Sequence, residues 1–138
     1  MNTFDISILE QALRKILLDG KVSEKVYGNR PKAVDGPSSD FIVATIAGSI
    51  EDQGTYGECL TVISLFALNS TIGKNAAKLS IMQKRLLDCM PTSYEVKQGD
   101  EVVASFEFDN KPTIIGDNGD DFGYHCRIIQ FQTIIKVL

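Results

Sequence analysis

Between residues 4 and 19 the apolar side chains fall at Ile6, Leu9, Leu13, Ile16 and Leu17, the three-and-four spacing that lines one face of a helix. Thr3 is placed to cap this helix and Gly20 to end it. A second helix is predicted over 74–90, where Ala76, Leu79, Met82, Leu86 and Cys89 share a face and Pro91 marks the stop. Lys74, Lys78 and Arg85 lie on its outer side.

Elsewhere the period changes. Residues 41–47 and 59–68 are rich in β-branched and aromatic side chains and have turn-formers on either side, which predicts a long hairpin. Its connection, 51–57, holds two glycines and polar side chains that tolerate water. A further hairpin is predicted from 94–97, the turn Gln98-Gly99-Asp100 and 101–108, with Val102, Ala104, Phe106 and Phe108 on one face. The chain closes in strand over 124–137. This order predicts an α+β fold, a mostly antiparallel sheet with two helices packed on one face. It forms a single domain, 1–138: an N-terminal helix, a long loop 20–40, a β-hairpin 41–68, a helix 74–90 and C-terminal strands 94–138. The first two strands are apolar on both faces, with Phe41, Val43, Ile42 and Ile46 in one and Leu60, Val62, Phe66, Ile63 and Leu65 in the other. Helices can cover only one of those faces, so a neighbouring subunit or a bend of the sheet over itself must cover the other.

Composition narrows the class. A chain of 138 residues, 43% hydrophobic and 23% charged, is an ordinary globular domain with enough surface to bury a self-supporting core. No apolar run reaches the ~20 residues of a membrane-spanning helix, and the first residues lack the basic and apolar regions of a secretory signal, so a cytosolic product is expected. Three cysteines, Cys59, Cys89 and Cys126, are odd in number and widely spaced, which argues for reduced, buried thiols instead of a disulfide framework or zinc knuckle. The net charge of -4 opposes broad phosphate-backbone binding, so no specific nucleic-acid partner is expected.

The densest candidate chemistry is the stretch 116–126, with Asp117, Asp120, Asp121, the chain's single histidine His125, and Cys126. A calcium loop starting at Asp117 would need an oxygen ligand at Gly119, a glycine at Phe122 and a glutamate at Ile128, and has none of these. Within a strand, Asp121 and His125 lie about 13 Å apart, and His125 and Cys126 point to opposite faces. These residues read as a turn leading into the last strand; a pairing of His125 with Cys59 across strands stays open. No nucleotide-binding, nucleophile-elbow or zinc-protease motif is present, and no cofactor or metal is expected. The basic residues Lys21, Lys25, Arg30 and Lys32 of the long loop, with Lys74, Lys78 and Arg85, read either as a surface for acidic partners or as solvated charge. The long loop itself far exceeds the usual 4–6 residues, as functional or disordered loops do.

The order of elements, the Val26-Tyr27-Gly28-Asn29-Arg30-Pro31 loop, Ser39-Asp40-Phe41-Ile42-Val43, the apolar second strand ending at Phe66-Ala67, the helix to Leu87, and Tyr124-His125-Cys126-Arg127-Ile128-Ile129-Gln130-Phe131 resemble the tail-completion proteins of tailed bacteriophages, the tail terminator or head-tail joining family. The resemblance departs over 91–123, where the additional hairpin is longer. It implies a non-enzymatic structural role: copies assemble into a ring, expected to be a hexamer, in the virion neck, after assembly in the bacterial cytoplasm, with the tail tube and head connector as partners. Under this reading Lys25, Tyr27, Asn29, Arg30, Pro31 and Lys32 of the long loop, with Glu51, Asp52, Gln53 and Tyr56, are expected to touch neighbours. Rival readings are a monomeric or dimeric domain that binds a peptide or small ligand on the uncovered sheet face, and a hydrolase or thiol enzyme built on Cys59 and His125.

Overall fold

A computed structural model describes residues 6–28, 40–47, 56–69, 75–119 and 123–137. Helix α1 runs Ile6–Asp19 and is followed by a two-residue strand β1, Val26–Tyr27. Strands β2 (Phe41–Ala47) and β3 (Tyr56–Leu68) precede helix α2 (Ala76–Cys89). Four strands then close the chain: β4 (Ser93–Gln98), β5 (Glu101–Phe108), β6 (Thr113–Gly119) and β7 (Tyr124–Val137). The protein is thus an α+β fold dominated by strand. No described helix is long and apolar enough to cross a membrane.

The sheet is ordered β1-β2-β3-β7-β5-β4, with β6 also paired to β7. All its pairings are antiparallel except β1 with β2, where Val26 lies opposite Ile42. That parallel pair was not anticipated, because two residues inside a polar loop carry no alternation to read. The predicted hairpin is present, with Phe41 opposite Phe66 and Ala47 opposite Leu60. Strand β7 is the axis of the sheet, pairing with β3 in unbroken register from Tyr56/Lys136 to Leu68/Tyr124. Its other side is shared. β5 takes Thr133 to Val137, and β6 takes His125 to Gln130. β5 and β6 are therefore one run of chain along β7, interrupted between Phe108 and Thr113.

The β4–β5 hairpin has the expected strands and turn, with Gly99 at φ 66, the left-handed conformation that glycine adopts without steric cost. Its phase is corrected in one place. Val96 faces Ala104 whereas Lys97 faces Val102, so Val103 is an extra residue, and a bulge of this kind swaps the face of the residues beyond it. Val103, not Val102, packs against the core. Gly116 also proves to lie in strand β6 and not in a turn, with an irregularity between Ile115 and Asn118.

Leu9, Leu13, Ile16 and Leu17 of α1 and Leu79, Met82 and Leu86 of α2 join Ile42, Ile63, Leu65, Phe106, Ile129, Phe131 and Ile135 in one buried cluster. Residues of the opposite sheet parity, Phe41, Phe66 and Tyr124, form a second cluster with Tyr27 and Cys126 at its margin. Phe41 stacks on Phe66 at 4.5 Å between ring centroids, and Tyr124 meets Phe41 edge-on at 5.0 Å. Such geometries add about 0.5–1.5 kcal/mol per pair beyond burial.

Helix ends depart from expectation in an informative way. Asn75 caps α2, its side-chain oxygen accepting from the Lys78 amide, and Pro91 follows the last turn. At the end of α1, however, the left-handed residue is Lys21 (φ 55), not Gly20. Val22 N–H donates to Leu17 O and Lys21 N–H to Leu18 O, the paired bonds of a Schellman stop. Gly20 serves closeness instead: a Cβ there would sit 2.4 Å from Cys89 Cβ, so glycine lets the ends of α1 and α2 touch. Thr3, the expected cap of α1, and Lys74 lie outside the described residues.

Candidate subunit interface

The residues expected to form contacts are only partly placed. Lys25 is exposed, and its carbonyl accepts from Ile42 N–H where β1 joins the sheet. Tyr27 is half-buried, its ring 6.0 Å from that of Phe41. Tyr56 opens β3 opposite Lys136. Asn29, Arg30, Pro31, Lys32, Glu51, Asp52 and Gln53 lie outside the described residues.

Asp40, at the entry to β2, makes several bonds at once. Its Oδ1 accepts from Leu68 N–H at 2.8 Å, its Oδ2 lies 3.6 Å from Lys78 Nζ, and its backbone carbonyl accepts from Ser23 Oγ. One carboxylate thus ties the start of β2 to the end of β3 and to α2. Arg85 Nη1 donates to Lys21 O at 3.3 Å. Two of the helix cations offered for acidic partners are therefore engaged within the chain.

The alternative thiol chemistry fails on geometry. Cys59 lies opposite Thr133 and His125 opposite Ala67 on the same ladder, eight residues apart, roughly 26 Å at the rise of a strand. Burial pushes the Cys59 and Cys89 thiols above their ordinary range, which disfavours the thiolate that such chemistry requires. His125 Nδ1 is hydrogen-bonded to Asn69 Oδ1, which fastens the first residues of β7 to the end of β3. His125 and Cys126 face opposite sides of the sheet, as expected from their adjacency. Asp120 and Asp121 lie outside the described residues. Among the described residues no group of three or more histidine, cysteine or acidic side chains is gathered to hold a metal ion.

The surfaces that do stand out were missed in the sequence. The first is β6, whose side away from β7 pairs with no other described strand, and where Ile114 and Ile115 are 44% and 39% exposed. The signal was available in the β-branched Thr113-Ile114-Ile115 run, but the glycines and acids after it read as turn. The second is a half-open groove of about 360 Å³ lined by Glu58, Glu107, Phe108, Asp109, Gln132, Thr133 and Ile134. It sits where Glu58, Ile134 and Glu107 are cross-strand neighbours. An exposed isoleucine between two glutamates can take an apolar side chain with a basic end.

No known protein family matches the sequence, and no curated protein matches it. Among the solved structures that match, one is similar over 99% of this chain and 97% of its own, with a TM-score of 0.62 and 13% identity. At that identity the likeness concerns the fold, which is therefore one that another protein of similar length also adopts.

Proposed function

We propose that this protein is a structural subunit that works by fitting against copies of itself, as a tail-completion protein forming a ring at the head-tail junction of a phage or prophage virion. In this reading both helices take one face of the sheet. Support comes from the alternation: Leu13, Leu79 and Met82 share a cluster with Ile42, Ile63 and Ile129, while residues of opposite parity such as Val43, Val62, Ile128 and Ile134 stay partly or largely exposed. The observation that carries the proposal is the β6 edge, which pairs with no other described strand on its side away from β7. Natural sheets guard their edges with charge, proline or cover, whereas Thr113 to Gly116 hold no charge and present two exposed isoleucines. A monomer would gain nothing from that surface, and an assembling subunit would.

Partners in this reading are further copies, the tail tube and the head connector, with assembly in the host cytoplasm and residence in the virion neck. Size-exclusion chromatography with light scattering over a range of concentrations, together with negative-stain imaging, tests it. Mass growing with concentration towards a closed ring is expected; a strict monomer at every concentration overturns the reading. The groove beside Ile134 favours a second reading, a domain that binds a basic peptide on the open face. Titration with a lysine-rich peptide against a Glu107→Gln variant separates the two.

A further inference from the structure

The backbone of β7 fixes which way the β6 edge points. Asp109 N–H donates to Gln132 O, so Gln132 turns its backbone groups towards β5 and β6. Because β7 keeps unbroken register with β3, Gln130 and Ile128 turn the same way. Their partners on β6 are Thr113 and Ile115. Ile114, between them, therefore directs its N–H and C=O outwards, away from β7. Next on the outer side comes Pro112, which has an acceptor and no donor; beyond Ile115 the register with β7 shifts, and at Gly116 nothing lies within 4 Å of the Cβ position.

This pattern is self-complementary. We propose that β6 pairs antiparallel with β6 of a second copy about a two-fold axis at Ile114. Ile114 of each copy then exchanges both backbone hydrogen bonds with its counterpart, and Thr113 of one lies opposite Ile115 of the other, a β-branched pair of the kind that stabilises sheets. The occupant is a second copy and not an unrelated strand because the side chains also match under the two-fold. Under the two-fold the uncharged, β-branched run Thr113-Ile114-Ile115, with its two exposed isoleucines, lies against an identical run, and no like charges are opposed within it. The contact deepens the self-assembly reading, on which it rests, by adding an isologous joint to whatever contacts close a ring.

Two variants test it in the full chain. Ile114→Cys places two thiols across the axis at a Cα separation of about 5.5 Å, within disulfide range; mild oxidation should give a band at twice the chain mass that the parent and a Lys136→Cys control lack. Ile114→Lys sets two ammonium groups against each other and should halve the mass seen by light scattering while the circular dichroism spectrum stays native. An unchanged assembly mass for Ile114→Lys, or an Ile114→Cys protein that resists cross-linking, overturns the edge contact while self-assembly stands. A parent protein that is monomeric throughout overturns both.

Discussion

Strands β5 and β6 are consecutive stretches of one run along β7, yet their fates differ. In β5, Ala104 and Phe106 are fully buried, and β4 pairs along the strand's outer side. In β6, which lies beyond the reach of β4, Ile114 is 44% exposed. Hydrophobicity does not explain the contrast, since isoleucine buries as readily as phenylalanine. Coverage does. The β4 ladder stops where Phe108 N–H donates to Thr92 O, immediately after α2 ends. The helix that feeds the sheet therefore sets how much of its edge is closed. Apolar side chains beyond that point are left for something other than the fold.

The contrast is sharpest in truncation. Phe106→Ala removes a ring that is fully buried and stacked at 5.2 Å on Phe108, and should cost about 3–5 kcal/mol, read as a lower urea midpoint at unchanged slope. A loss below about 1 kcal/mol would show the two halves to be energetically alike. Next in size is Thr133, in the covered half. It donates to Phe131 O, so the 2.7 Å contact with Thr61 must have Thr61 as donor. Thr133→Val strands the buried Thr61 hydroxyl at about 1–3 kcal/mol. The Thr61→Val/Thr133→Val pair should recover most of that loss, and a double-mutant cycle without coupling would refute the pairing.

Cys59 belongs to the same covered half, opposite Thr133. Burial raises its thiol pKa, and that of Cys89, so the unfolded chain releases these protons first as the solution becomes alkaline. The native state then holds more protons, and stability is retained below the ordinary thiol range and falls as pH rises through it. Denaturant midpoints measured from pH 7 to 10 should show this decline, weakened in a Cys59→Ala, Cys89→Ala variant. Alkylation of Cys59 at pH 8 should proceed only as fast as the core opens.

The sequence made the covered half legible because its periods are long and regular: Leu9, Leu13, Ile16 and Leu17 of the α1 face, Leu79, Met82 and Leu86 of the α2 face, one side of the β2–β3 hairpin through Ile42, Ile63 and Leu65, and the alternation Ala104, Phe106, Phe108 all coincide with buried positions. Three kinds of feature escaped. Val103 was invisible because a bulge depends on partner register, which one strand does not encode. Gly20 and Lys21 exchanged roles because only the approach of Cys89, a contact distant in sequence, demands the glycine. β6 was hidden by its own Gly116 and Gly119, which suit turns and open edges equally. Most of the interface residues named from the loops, Arg30 among them, fall outside the described residues, so the candidate surface rests on an edge the pattern did not announce.

The smallest expected effect discriminates best. Ile115→Val keeps the β branch and removes one methylene equivalent, about 0.8 kcal/mol if it were fully buried and less at 39% exposure. Its midpoint should scarcely move, and a loss comparable to that of Phe106→Ala would mean that β6 is as deeply packed as β5. Amide exchange then separates neighbouring residues by direction. Ile115 N–H is bonded towards Ile128 of β7, whereas Ile114 N–H turns out to the edge. In dilute solution Ile114 should exchange near the rate of an open amide while Ile115 stays protected. At high concentration a second copy closes over Ile114, and its exchange should slow with protein concentration while that of Ile115 does not. Slow exchange at Ile114 that is independent of concentration would mean that the chain's own residues cover this edge, and the distinction between the two halves would then lie in packing alone.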